Sequence, residues 1–207
     1  MTKFRNGFAR LAVTLAFAAA AAGALAQEAP DAMVKRVAED VLQITRTDPK
    51  VQAGDKQRIK EVVETKLLPN FDFERITALA MGRNWRQATP DQQKELVEQF
   101  RQLLVRTYSG ALTQYRDQTM DYKPLRAEAN ATEVTVRTEV IRKGQAPVQI
   151  DYSMAKTPGG WKVYDVIVAG VSLVTNYRDE FNEQVKGGGI DGLIKTLVAK
   201  NQGAPAK

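Results

Sequence analysis

Along the first half of the chain, apolar residues recur every three to four positions; along most of the second half, every two. Val34, Val37, Ala38, Val41, Leu42 and Ile44 fall at helical spacing from about Pro30. Thr47-Asp48-Pro49 stops that helix, because the residue before a proline is pushed out of the helical region. A second helix is predicted from about Asp55 to Leu68, with Ile59, Val62, Val63, Lys66 and Leu67 on one side, broken at Leu68-Pro69-Asn70. Asn70 is placed to cap a third helix whose first turn carries Asp72 and Glu74 and which ends near Gly82. Thr89-Pro90-Asp91-Gln92 has the signature of a capping box. It starts a long helix with one stripe through Leu96, Phe100, Leu103, Leu104, Tyr108, Ala111, Leu112 and Tyr115.

The period then changes to two. In Thr132–Arg142, Val134, Val136, Thr138 and Val140 share a face opposite Glu133, Thr135, Arg137 and Glu139. In Pro147–Met154, Val148, Ile150, Tyr152 and Met154 alternate with Gln149, Asp151 and Ser153. Lys143-Gly144-Gln145 joins these runs as a hairpin, and Thr157-Pro158-Gly159-Gly160 leads into Trp161–Val168. That third run is apolar on both faces, Trp161, Val163 and Ile167 opposing Tyr164, Val166 and Val168. It is expected in the middle of the sheet, covered on both sides or lining a cavity. An earlier strand is expected near Asp121–Arg126. After Gly170 a helix carries Leu173, Val174, Tyr177 and Phe181, and Gly187-Gly188-Gly189 leads to a last helix from Ile190 to Lys200. Helices followed by an antiparallel meander predict an α+β fold: a curved sheet of about four strands wrapped by several helices, with a hollow between them.

Composition narrows the chemistry. The 207 residues contain no Cys and no His, which removes disulfide scaffolds, cysteine nucleophiles, Ser-His-Asp triads and Cys/His metal centres. General acid–base catalysis near neutral pH loses its usual agent. No metal site, catalytic residue or cofactor is assigned. Gly187-Gly188-Gly189 lacks the Lys-Ser/Thr of a phosphate-binding loop and reads as a hinge. Asp165, a charge in an apolar strand, reads as a partner of a nearby cation or as a helix cap, with a catalytic role as the alternative.

Residues 1–26 read as a cleaved secretory signal. Lys3, Arg5 and Arg10 precede the apolar run Leu11–Leu25, and Ala24-Leu25-Ala26 forms the cleavage site. The run is shorter than the ~20 residues of a membrane-crossing helix. Three of the 30 basic residues and no acid sit in this segment, so the net charge falls from +6 to +3 on cleavage. That small excess suits anionic membranes or acidic partners better than nucleic acid, which an exported protein does not meet. Residues 27–201 are expected to form a single domain, with 202–207 as a frayed tail.

Several blocks carry a resemblance. Asn70-Phe71-Asp72-Phe73-Glu74-Arg75-Ile76, Ala80-Met81-Gly82-Arg83-Asn84-Trp85-Arg86 and Thr89-Pro90-Asp91-Gln92-Gln93 leading to Phe100 and Tyr108 come first. More specific are Trp161-Lys162-Val163-Tyr164-Asp165-Val166, Gly170-Val171-Ser172-Leu173-Val174, Asn176-Tyr177-Arg178 with Phe181, and Gly192-Leu193-Ile194 with Leu197. In this order they resemble the MlaC (toluene-tolerance auxiliary) family of periplasmic phospholipid-binding proteins. The resemblance implies an NTF2-like cone with an apolar cavity. It also implies a soluble periplasmic carrier, with phospholipid as cargo rather than cofactor. Such a carrier exchanges lipid between an outer-membrane lipoprotein–porin complex and an inner-membrane ABC transporter bearing an MCE-domain protein, and so maintains outer-membrane lipid asymmetry. The expected state is a monomer.

The expected pocket comes from periodicity alone. The alternating strands contribute Val134, Val136, Val140, Val148, Ile150, Tyr152 and Met154. The strand apolar on both faces contributes Val163, Tyr164 and Val166, and the facing helices Leu103, Leu104, Tyr108, Val171 and Val174. Arg83, Arg86 and Arg178 belong either near the mouth or a partner surface, or in structural ion pairs. Two rivals use the same cavity: an enzyme working with carboxylates or Tyr, and a chaperone or adaptor with an open apolar groove. The enzyme requires a strongly perturbed acid inside the cavity.

Overall fold

The computed structural model describes residues 27–110 and 118–203. The signal at 1–26, the stripe residues Ala111, Leu112 and Tyr115, and the end of the tail lie outside them. Helix α1 (Pro30–Thr47) is followed by a short α2 (Pro49–Gln52) and by α3 (Lys56–Val62). A π-helical turn, Val63–Leu67, and a 3-10 turn, Leu68–Asn70, extend α3. Then come α4 (Phe73–Met81), a 3-10 segment (Gly82–Gln87) and α5 (Pro90–Tyr108). The sheet holds β1 (Thr119–Tyr122), β2 (Glu133–Ile141), β3 (Val148–Thr157), β4 (Gly160–Val168) and β5 (Val171–Ser172), antiparallel and in sequence order. Helix α6 (Leu173–Asn201) closes the described chain.

Local chemistry explains most boundaries. Both arms of the capping box on α5 form: Gln92 N–H donates to Thr89 Oγ1 at 3.2 Å and Thr89 N–H to Gln92 Oε1 at 2.9 Å. Asn70 does not cap α4. Its amide donates backwards to the carbonyls of Lys66 and Leu67, closing the end of the preceding turn, and Asp72 caps α4 instead by accepting from Arg75 N–H at 2.9 Å. The strand expected at Asp121–Arg126 sits earlier, at Thr119–Tyr122, where Met120 pairs with Val140. Short β5 adds a fifth strand. It is reached through Ala169 and Gly170, both at positive φ (49° and 83°), the sign pattern of a type I′ hairpin turn.

The apolar surplus of β4 has an unexpected cause. Met154 pairs with Val163 and Ser153 with Asp165, so Tyr164 has no partner across the ladder. This bulge shifts the alternation by one residue. Val163 before it and Val166 and Val168 after it therefore lie on the same face, in cross-strand rows with Met154, Tyr152 and Ile150. The strand reads as apolar on both faces because its two halves point one set of side chains each to one face. Position 165 is also turned toward α6. Asp165 accepts from Ser172 Oγ at 2.6 Å and from Val174 N–H at 3.1 Å, while Ser172 Oγ accepts from Thr175 N–H at 3.0 Å. Of the structural roles expected for Asp165, the contacts are those of the helix cap.

Two large clusters hold the elements together, beside a small one in which Val51, Ile59 and Val62 of α2 and α3 pack with Ile44 of α1. In one large cluster, Met33, Val34 and Val37 of α1 pack on Val136, Met154 and Val163 of the sheet. In the other, α4, α5 and α6 meet around Phe100, whose ring stands edge-on to Tyr177 (4.8 Å) and Phe181 (4.9 Å). Between them, Phe71 bridges to Val163 along the free edge of β4, and Asp72 N–H donates to the Val163 carbonyl at 2.9 Å. Helix α6 doubles back at Gly189 (φ 68°, ψ −172°), bringing Lys200 to Glu180 and Thr196 to Gln184.

That backbone conformation is essentially restricted to glycine. Gly189→Ala is expected to lower unfolding free energy by about 1–3 kcal/mol. Gly188→Ala, at a helical position with open space around the new Cβ, is expected to leave it unchanged or slightly raised. Urea unfolding of the two variants side by side checks this.

Candidate functional site

A cavity of about 360 Å³ lies between the sheet and the helices. Its sheet wall is Met120, Val140, Ile150, Tyr152, Val166 and Val168, residues the cross-strand register places on one face. Helix α1 supplies Ala38, Val41 and Leu42; the irregular end of α3 supplies Val63, Leu67 and Leu68. Phe71, Phe73 and Ile76 come from the entry and first turns of α4, Leu104, Val105, Tyr108 and Ser109 from the end of α5, and Leu173 from α6. Val63 and Leu67, the two ends of the π-helical turn, both reach the wall.

Almost no polar chemistry faces the hollow. Among the described residues, the one carboxylate on the wall is Asp165, and its oxygens are taken by the Ser172 hydroxyl and by the Val166 and Val174 amides. The ionised groups nearby act elsewhere. Arg75 lies 3.8 Å from the Tyr164 ring centroid and bonds Glu133 at 2.7 Å, holding that carboxyl below the usual range. Burial raises the Tyr164 phenol, with Glu133 adding to the effect. Burial likewise pushes the phenols of Tyr122 and Tyr177 up. No group of three or more carboxylates able to hold a metal occurs among the described residues.

Six of the residues expected at the pocket line this cavity: Leu104, Tyr108, Val140, Ile150, Tyr152 and Val166. The others lie elsewhere. Leu103 and Val174 are buried in the α4–α5–α6 cluster, and Tyr164 packs against its edge. Val136, Met154 and Val163 are buried under α1, with Val134 beside them. Val148 and Val171 are exposed. Arg83 and Arg86 are exposed, and Arg178 donates to the Leu79 carbonyl at 2.9 Å. Periodicity alone left out the contributions of α1, the π-helical turn, Phe71, Phe73 and Met120. Val41, Leu42, Val63 and Leu67 stood out as helical stripes, but a stripe does not say which surface it meets.

A larger space, about 680 Å³, opens at the other end of the sheet around Gln27, Arg36, Lys156, Trp161 and Lys162. It is walled largely by polar groups. Arg36 is held by Glu28 at 2.7 Å and Lys162 by the Pro69 carbonyl, so it offers no apolar shelter comparable to the first.

A model of the MlaC protein family matches residues 35–199. The chain belongs to the MlaC family. Its fold matches that of a phospholipid-binding protein from Ralstonia solanacearum, solved in complex with a phospholipid, with a TM-score of 0.78 and 43% identity. The match covers 83% of this chain and 96% of that one. Among curated relatives, the intermembrane phospholipid transport system binding protein MlaC of Haemophilus influenzae is 24% identical over 181 residues, covering 84% of this chain and 83% of that protein. The toluene tolerance protein ttg2D of Pseudomonas putida is 25% identical over 174 residues, covering 84% of this chain and 80% of that protein.

As neighbours in regular register after the bulge, Val166 and Ile167 point to opposite faces of the sheet. Val166→Trp is expected to fill the cavity and cut uptake of the apolar fluorophore N-phenyl-1-naphthylamine about tenfold. Ile167→Trp is expected to leave uptake within about twofold. Equal effects in fluorescence titrations contradict the placement of the site.

Proposed function

We propose that the protein is a periplasmic phospholipid carrier that shelters acyl chains in the cavity between sheet and helices. The single observation that carries this reading is the wall itself: among the described residues, aliphatic and aromatic side chains from sheet and helices, with one carboxylate whose bonds are already spent. A wall of that kind suits a hydrocarbon chain and offers nothing to a reaction. The family and the phospholipid-bound relative from Ralstonia solanacearum support the choice of cargo.

The energetics set the design. Two tails of about 15 carbons each cost ~24 kcal/mol to expose to water, at ~0.8 kcal/mol per methylene. A carrier must cover most of that surface yet release it, so it needs a preformed apolar hollow and partners at which handover occurs. The hollow described, about 360 Å³, takes roughly twelve groups of water or methylene size at ~30 Å³ each. A two-tailed lipid therefore loads by parting the helical wall from the sheet. The irregular π and 3-10 turns between α3 and α4 give that wall its least regular segment.

In this reading the signal at 1–26 exports the chain. The mature protein then works as a monomer between an outer-membrane lipoprotein–porin complex and an inner-membrane ABC transporter with its MCE-domain partner. Moving lipid between them maintains outer-membrane asymmetry. Transfer makes and breaks no covalent bond, so the protein acts without catalytic residues, metal or cofactor.

The test is native mass spectrometry of protein purified from the periplasm without detergent, followed by extraction and lipid identification. The expected result is a stoichiometric mass excess matching diacyl phospholipid, lost in Val166→Trp. A bare mass together with failure to take phospholipid from vesicles contradicts the carrier.

A further inference from the structure

The cavity opens at the end of the sheet where β2 passes into β3 and β4 into β5. Tyr108 and Val168 belong to the cavity wall and are still 47% and 44% exposed, which marks them as its mouth. Around them stand three more uncovered apolar side chains. Val171, opposite Val168 in the ladder, is 63% exposed; Val148, opposite Val140, is 41% exposed; Ile141 is 40% exposed. These are the large hydrophobic residues the described chain leaves uncovered, and they gather at one end of one sheet. Scattered exposed aliphatics are ordinary, whereas a gathered rim marks an interaction surface.

Among the described residues, the charge at this rim is one-sided. The hairpin tip carries Arg142 and Lys143, and no acid occurs between Glu139 and Asp151. Glu139 is bonded to Lys123 at 2.9 Å and Asp151 accepts from Gln149 at 2.9 Å. Arg142 is bonded to the neutral Gln145 amide. The neighbouring turn, 166–171, carries no charge. It is also held in a left-handed conformation at Ala169, whose φ of 49° an alanine adopts only at a cost. That turn thrusts Val171 outward rather than folding it into the core.

We propose that this rim seats directly on the surface of an anionic bilayer: Val171, Val148 and Ile141 enter the headgroup boundary and Arg142 and Lys143 meet the lipid phosphates. The inference rests on the carrier reading and adds the surface through which lipid enters. An apolar rim flanked by cations is the pattern of interfacial binding, in which a shallow apolar insertion and attraction to anionic lipid add together. With the mouth on the bilayer, a tail passes from membrane to cavity without crossing water.

The test is vesicle flotation of the full mature protein, using phosphatidylcholine vesicles with and without 30% phosphatidylglycerol. The protein is expected to float with the anionic vesicles and not with the neutral ones, and to be released by ~0.5 M salt. The double substitution Arg142→Glu, Lys143→Glu is expected to weaken binding roughly 20-fold or more. Val171→Asp is expected to weaken it about tenfold. Phospholipid loading of the charge-reversed protein from mixed micelles, read by native mass spectrometry, separates the two ideas. Loading retained while flotation is lost supports the docking surface. A wild-type protein that loads lipid but floats with neither vesicle overturns the docking surface and leaves the carrier. A protein that does neither overturns both. Dimers abolished by Val171→Asp, without vesicle binding, assign the rim to a second copy and overturn the proposal.

Discussion

A single unpaired residue in β4, Tyr164, sets how the rest of the molecule is arranged. Without the bulge, Val163 and Val166 would face opposite sides of the sheet, and one half of the strand would present its apolar residues away from the helices. With it, the same face serves two purposes along its length. One end, at Val163, packs under α1 as ordinary core. The other, at Val166 and Val168, stays uncovered and becomes cavity wall. The same irregularity turns Asp165 toward the start of α6, where it and Ser172 fix the helix that closes the second cluster.

The division between filled core and hollow follows from which helices reach which part of the sheet. α1 lies close over its Met154 end, where Met33, Val34 and Val37 leave no gap. α5 and α6 spend Phe100, Tyr177 and Phe181 on one another, packed edge to face. Those aromatics are therefore unavailable to plug the sheet, and the space beneath Ile150 and Val140 stays open. A hollow of this kind is stable only while its lining is apolar and its few polar atoms are already bonded. Asp165 meets that condition, with its two oxygens satisfied.

Much of this was legible in the residues. Helix stops at prolines, the capping box at Thr89, the alternation in β2 and β3 and the hairpins between the strands depend on neighbours in sequence, and they appear where the pattern places them. The failures are also physical. Asn70 and Asp72 compete for the same cap, and which wins depends on whether the preceding turn needs its carbonyls closed. The bulge left a trace, an apolar excess on both faces of β4, but alternation alone cannot tell a strand covered twice from a strand whose parity breaks. β5 is two residues long and has no period to read. Cavity-lining residues stand out in the sequence where the sheet face is continuous, as at Val140, Ile150 and Tyr152, and do not where a helix stripe had to choose between surfaces, as at Val41, Leu42 and Val63.

The central claim is that an acyl tail lies against the β3–β4 face beneath α5. The most direct test loads the protein with a phospholipid carrying a photoactivatable diazirine near the end of one tail and maps the crosslinked peptides by mass spectrometry. The account predicts label on the segments containing Ile150–Tyr152, Val166–Val168 and Leu104–Tyr108. Label confined to the outer surface, or to the polar space around Lys156–Lys162, would contradict it.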